Sequence, residues 1–185
     1  MIINIRGVSG SGKTHAMRGI MEGFPSTRVW FKGRDKVAGM LLKVGQRKVF
    51  VVGSYREICG GCDTIKDTKA IEELVSHYAG LGRDVLFEGL FISGSHSQWI
   101  ALADRNPTWD FRVVFLSTKF DVCVERVRQR RLDRGNDKPW KVENMRDFEK
   151  RMKRQHVHFQ RANIPVYDLD VDSCILTVRE WLTRK

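Results

Sequence analysis

Short apolar runs, broken by turns and by stripes at helical spacing, give this chain the pattern of alternating strands and helices. The first run, Ile2–Arg6, reads as a strand that enters the glycine-rich turn 7–12, and a helix over about residues 13–22 ends near Gly23 and Pro25. Residues 28–31 form a second short strand, and residues 40–44 and 48–53 flank Gly45-Gln46-Arg47 as a β-hairpin. Ile71, Leu74, Val75 and Tyr78 line one face of a helix over about residues 68–79, stopped by Gly80 and Gly82. Asp84–Glu88 and residues 111–117 are continuous apolar runs of the kind buried in parallel sheets. Two long basic helices, Phe120–Leu132 and residues 143–161, precede a last strand at 165–169 and a helix at 174–183. The pattern predicts an α/β fold with a parallel five-stranded sheet flanked by helices and interrupted by a hairpin insertion at about 39–53.

With 185 residues and neither repeat nor linker, the chain is expected to form a single domain over 1–185. Its apolar runs are far shorter than the roughly 18 residues of a membrane span, and its start shows no secretory leader, so a cytoplasmic location with no membrane partner is expected. The four cysteines are scattered and expected to be reduced. Charge changes the picture most: 33 Lys plus Arg against 22 Asp plus Glu give +11. Between Lys119 and Arg161 there are 14 basic and 7 acidic residues, a net +7. That region should face an anion, either nucleotide phosphate or nucleic acid.

The strongest chemical signal is Gly7-Val8-Ser9-Gly10-Ser11-Gly12-Lys13-Thr14, which fits G-x-x-x-x-G-K-[ST] between a strand and a helix. The glycines let backbone N–H groups of the turn, Ser9 and Ser11 included, point at phosphate oxygens, and the helix N-terminus adds the positive end of its dipole. Lys13 is placed to bridge the β- and γ-phosphates, and Thr14 to hold Mg2+ through its hydroxyl. Glu88, ending an apolar strand, is the second candidate metal residue, with a turn-capping Glu as the plain alternative.

Thr118-Lys119-Phe120-Asp121 imitates the guanine-reading element of GTPases, but Phe87-Glu88-Gly89-Leu90 lacks the D-x-x-G switch, and Thr118 reads better as a helix cap. Arg126, Arg130 and Arg134 recur every four residues beside Arg128 and Arg131. Like charges along one face destabilise a helix unless phosphates neutralise them. The row therefore suits an Arg-rich lid over about 126–140, with Arg126, Arg130 and Arg134 catalytic and Arg130 also on the nucleotide. A solvated basic face is the plain alternative.

Transfer to an alcohol needs a carboxylate near the hydroxyl. Asp63, in the loop Gly60-Gly61-Cys62-Asp63 whose glycines permit close approach, is the preferred base; Asp35, beside Arg34, is the rival, and either could merely cap a turn. Cys59 and Cys62 have zinc or redox spacing but no matching second pair, so two small residues packed under the loop is preferred. His156 and His158, two apart on a helix, cannot share a face and read as surface residues.

Val52-Gly53-Ser54-Tyr55, the 59–65 run, Val85-Leu86-Phe87-Glu88-Gly89-Leu90 and the arginines ending in Arg134-Gly135-Asn136 together resemble small bacteriophage P-loop kinases. Within that group the chain is similar to the kinases of thymidine hypermodification, which phosphorylate 5-hydroxymethyl-deoxyuridine within DNA. The resemblance implies a P-loop kinase fold, ATP and Mg2+ as cofactors, and DNA containing 5-hydroxymethyluracil as partner. The net charge, with Arg28, Lys32, Arg34, Lys36 and Arg47 on the expected acceptor side, suits a polymer of phosphates. A base within a duplex must be extruded and stacked, which makes Tyr55, Trp30 and Trp99 candidates, with core packing the alternative for Trp30. Arg34, Asp35, Tyr55, Gly60, Gly61 and Asp63 make up the expected acceptor site. A free nucleoside or nucleoside monophosphate kinase, and a nucleotide-gated DNA-binding module, are the rival readings.

Overall fold

The structure is a computed structural model that describes residues 1–32, 36–56 and 60–184. One sheet of seven strands runs through it: β1 (Ile2–Arg6), β2 (Ser26–Trp30), β3 (Val37–Val44), β4 (Arg47–Val52), β5 (Asp84–Glu88), β6 (Phe111–Leu116) and β7 (Val166–Leu169), in the order β2-β3-β4-β5-β1-β6-β7. Pairing is parallel from β4 through β5, β1 and β6 to β7 and antiparallel at β2–β3 and β3–β4. The sheet is therefore mixed, which corrects the expectation of five parallel strands that included residues 28–31. Ser26, Thr27 and Arg28 carry polar side chains that an interior strand cannot bury, so β2 lies exposed at the edge. Val49 to Val52 are fully buried, and β4, the second hairpin strand, takes the parallel place beside β5.

Seven helices flank the sheet among the described residues: α1 (Lys13–Met21), α2 (Thr68–Gly80), α3 (Leu90–Ser93), α4 (Ser97–Arg105), α5 (Phe120–Leu132), α6 (Val142–Arg161) and α7 (Val171–Thr183). Because alternate strand residues face opposite sides, Ile3, Ile5 and Leu86 pack with α1 and α7, whereas Ile2, Phe87 and Val113 pack with α2, α4, α5 and α6. Helix α4 went unread in the sequence; it buries Trp99 and Leu102, a spacing that signals a helix. Helix α7 starts at Val171, where the Asp170 carboxylate accepts the Ser173 N–H at 2.7 Å. Helix α5 lacks its expected cap: the Thr118 hydroxyl donates instead to the Ser11 carbonyl at 2.8 Å. The strand ends carrying Arg6, Val52, Glu88 and Leu116 share one edge of the sheet, the edge where ligands of parallel α/β sheets collect. No helix among the described residues is long and apolar enough to cross a membrane.

Candidate active site

The turn between β1 and α1 is pressed against two other helices. Gly10 and Gly12 hold φ of 82° and 98°, where a side chain is strained. A Cβ would also stand 2.4 Å from the Cys123 carbonyl oxygen at Gly10 and 2.8 Å from Val171 Cγ2 at Gly12. No side chain caps α1, so its first-turn N–H groups are left for an anion. Lys13 Nζ donates to the carbonyls of Gly7 and Val8 at 2.8 and 3.0 Å, and burial lowers its pKa, with Glu88 and Asp63 acting the other way. Ser11 lies beneath the turn: its buried hydroxyl has no partner, and a Cβ at Gly7 would meet it at 2.4 Å. The Ser11 side chain therefore does not line the cavity on the other side of the turn.

Two of the three arginines reach the turn. Arg130 Nη2 donates to Ser9 Oγ at 3.0 Å and Arg126 Nη1 to the Gly10 carbonyl at 3.3 Å. Both line a cavity of about 660 Å³ together with Lys13, Thr14, Asp63 and Glu88. Arg134 is not brought there: α5 ends at Leu132, the chain turns, and Arg134 is exposed and off the cavity wall. The helix ends two residues before the last member of the row.

Across the cavity, Thr14 Oγ1 donates to Glu88 Oε1 at 3.1 Å. Glu88 is buried, and desolvation raises its pKa from 4.5 to about 7, reinforced by Asp63 and opposed by Lys13, the Thr14 hydrogen bond and Arg18. A hydroxyl and a carboxylate side by side are hard oxygen donors, the set that Mg2+ takes together with phosphate oxygens and water. Gly61 packs on this carboxylate at φ 67° and ψ −147°, and a Cβ there would stand 2.6 Å from both Oε1 and the backbone oxygen of Glu88. Gly60 is equally confined, its Cβ position 2.7 Å from the Ser54 carbonyl oxygen.

Asp63 sits in a 3-10 turn over Cys62–Thr64 and caps α3: Oδ2 accepts the Leu90 N–H at 2.9 Å and Oδ1 the Phe91 N–H at 3.0 Å. Capping and facing the cavity are compatible, because each carboxylate oxygen keeps one further acceptor direction. Cys62 is buried and its thiol pKa lies well above the ordinary value through desolvation. Arg34, Asp35 and Cys59 lie outside the described residues.

The aromatic expectations need correction. Tyr55 is buried in the core beside α1, with an unpartnered hydroxyl and a pKa pushed well up by burial, and it borders the neighbouring groove and not the cavity that holds Asp63. Trp99 is fully buried, 4.7 Å from the Phe87 ring. Trp30, weighed as core, is 48% exposed on edge strand β2. His156 is not a free surface residue: it bonds Asp168 at 2.8 Å and lies over Phe115.

Arg6 was missed. It is fully buried, with Nη1 donating to Asn4 Oδ1 at 2.7 Å and Nη2 to the Ser93 and Ser95 carbonyls and Gln155 Oε1 at 3.0, 2.6 and 2.6 Å. Desolvation lowers its pKa to about 9. A charged residue ending an otherwise apolar strand, directly before Gly7, was the signal. A neighbouring groove of about 1080 Å³ shares His15 and Arg18 with the cavity and adds Arg28 and Arg56.

A sequence model of the 5-hmdU DNA kinase family matches residues 1–172. A protein of Pseudomonas phage PaMx11 named 5-hmdU DNA kinase is 34% identical over 187 residues, covering 98% of this chain and 96% of its own. The 5-hmdU DNA kinase 1 of Salmonella phage ViI is 30% identical over 68% of this chain and 57% of its own. The 5-hmdU DNA kinase of Pseudomonas phage M6 is 28% identical over 78% of each.

Proposed function

This chain belongs to the 5-hmdU DNA kinase family, and on that footing we propose that it transfers the γ-phosphoryl group of ATP to the hydroxymethyl group of 5-hydroxymethyluracil in DNA, on a P-loop kinase fold. A kinase is a phosphotransferase that uses a nucleotide. The observation that carries the reading is the convergence of Lys13, Thr14, Glu88 and Asp63 on one cavity.

In the proposed reaction the turn amides, Lys13 and the first turn of α1 hold the phosphates. Lys13 leaves the Gly7 and Val8 carbonyls for phosphate oxygens, a stronger charge-assisted contact. Thr14 Oγ1 and Glu88 would hold Mg2+, which supplies charge neutralisation on the β- and γ-phosphates. Asp63 accepts the hydroxyl proton as the hydroxymethyl oxygen bonds to the γ-phosphorus; the bond to the β–γ bridging oxygen breaks and ADP leaves. Arg126 and Arg130 balance the charge on the transferring group, Arg130 moving from Ser9 to phosphate. Gly60 and Gly61 let the loop that carries Asp63 pack closely on Ser54 and Glu88. DNA accounts for the net charge of +11 better than a mononucleotide does.

The test supplies γ-labelled ATP and Mg2+ with DNA containing 5-hydroxymethyluracil and, in parallel, with the free nucleoside and monophosphate. Label in nuclease-released modified nucleotides, and not at DNA ends, is the expected result. Label confined to the small acceptors would overturn the DNA assignment. Asp63→Asn should abolish transfer; full activity in that variant with loss in Asp35→Asn would move the base to Asp35.

A further inference from the structure

An exposed ring and a row of arginines stand beyond the residues used so far. Phe91 is 53% exposed although its own N–H is bonded to the Asp63 carboxylate, so a bare aromatic side chain stands next to the proposed base. The chain from Phe91 leads directly to α6. The Gly94 N–H donates to the Phe91 carbonyl at 3.2 Å, Gln155 Nε2 of α6 donates to the Gly94 carbonyl at 3.0 Å, and a Cβ at Gly94 would stand 3.7 Å from Phe148 Cε2.

On α6 the residues Arg151, Arg154, His158 and Arg161 follow one another at helical spacing of three and four, and all are exposed. This row borders the same loop: the His158 ring stacks on His96 at 4.5 Å, and the Arg151 guanidinium lies 5.1 Å from the centre of the Phe148 ring. Asp147 and Glu149 are already matched by Lys150 and Lys153, at 3.3 and 3.2 Å. Among the described residues Arg151, Arg154 and Arg161 form no ion pair. A row of unmatched cations repels itself and is relieved by a row of anions.

We propose that Phe91 and the arginine row of α6 form one DNA-docking surface, on which the ring stacks against the extruded target pyrimidine and Arg151, Arg154 and Arg161 hold phosphates of the flanking nucleotides. The proposal rests on the DNA acceptor reading above. Leu90 lines the cavity that holds Asp63, so the exposed ring of Phe91 stands one residue beyond the cavity wall, and every base offers a face to an aromatic ring. From Arg151 to Arg161 the helix rises about 15 Å, the length of roughly four nucleotide steps at about 3.4 Å each.

The experiment uses the full chain and a fluorescent single-stranded oligonucleotide carrying one 5-hydroxymethyluracil, with Kd followed against salt and phosphoryl transfer measured alongside. Phe91→Ala should weaken binding and raise KM by about 5- to 150-fold, the range of one lost base stack, and Phe91→Trp should restore both. The double variant R154A/R161A should lower the slope of log K against log salt by about 1.4, two single-strand phosphates. All should melt at the wild-type temperature, since the altered side chains are exposed. Wild-type Kd and salt slope in Phe91→Ala and R154A/R161A, with the wild type labelling DNA, would overturn the surface and leave the acceptor reading standing. A wild type that neither binds nor labels the oligonucleotide yet labels the free nucleoside would overturn both.

Discussion

Replacing Glu88 by glutamine should make the unliganded protein more stable as it removes activity, and the gain should depend on pH in one direction only. The folded carboxyl ionises at about 7 and the ordinary one at 4.5. Below the lower value both folded and unfolded states are protonated. As the pH rises between the two, the unfolded chain releases its proton while the folded chain keeps it, so stability falls. The difference amounts to about 3 kcal/mol in all, and burial of Glu88 leaves little solvent screening to reduce it. Glutamine does not titrate and keeps an oxygen to accept the Thr14 hydroxyl. Urea unfolding of both proteins between about pH 4.5 and 8, without nucleotide or Mg2+, isolates Glu88 and the groups coupled to it, because the titrations that do not touch Glu88 cancel in the difference. The Glu88→Gln advantage should grow by about 3 kcal/mol from the acid to the alkaline end. A difference that stays constant with pH, or a wild type that gains on the variant as pH rises, would refute the account of a carboxyl group desolvated by burial. Phosphoryl transfer by Glu88→Gln should be lost across the range, and added Mg2+ with ATP should stabilise the wild type more above pH 7 than below it.

Gly61→Ala places a methyl group against Glu88 at a backbone conformation that only glycine adopts without strain, and should cost about 2–5 kcal/mol; a denaturant midpoint near wild type would show that the loop can move. Arg6→Met strands the Ser93 and Ser95 carbonyls while relieving a desolvated guanidinium. A net loss of about 2–4 kcal/mol is expected, with a fall in kcat at unchanged KM for ATP, and unchanged kcat would separate Arg6 from the geometry of Asp63. Thr118→Val removes the hydroxyl that holds the Ser11 carbonyl, worth about 0.5–1.5 kcal/mol. It should raise KM for ATP several-fold, measured by initial rates against nucleotide concentration.

Elements whose partners are local were legible in the sequence. The turn 7–12 with Lys13 and Thr14, the strand ending at Glu88 and the helix over 68–79 stand where spacing and glycine placed them. What escaped depends on contacts distant in sequence. Strand β2 reads as a strand, but its place at the edge follows from β4 being the more apolar candidate for the interior. Thr118 has the form of a cap, yet Ser11, 107 residues away, takes its hydroxyl. The row Arg126, Arg130, Arg134 is regular in sequence, but the helix ends before its last member. Asp63 was named as a base or a cap, and its bonds to Leu90 and Phe91 leave it able to be both.

Those distant contacts also explain how Asp63, the proposed proton acceptor, can be fixed relative to the proposed phosphate turn. Arg6 ends the strand that delivers the turn 7–12, and its guanidinium holds the carbonyls of Ser93 and Ser95 at the far end of α3. The near end of the same short helix holds Asp63 by two N–H groups. A four-residue helix has no stability of its own, so its position is set by what grips its two ends. Displacing the turn that carries Gly7 therefore displaces the grip on α3, and with it the carboxylate. Among the described residues no carboxylate pairs with this guanidinium inside the core, a costly arrangement, and the return is that the turn after β1 and the Asp63 side of the cavity are fastened to one frame. A carboxylate opposite Arg6 would lower the cost of burial but would compete for the guanidinium that the α3 carbonyls now engage, which is why neutral oxygens from Asn4, Ser93, Ser95 and Gln155 surround it.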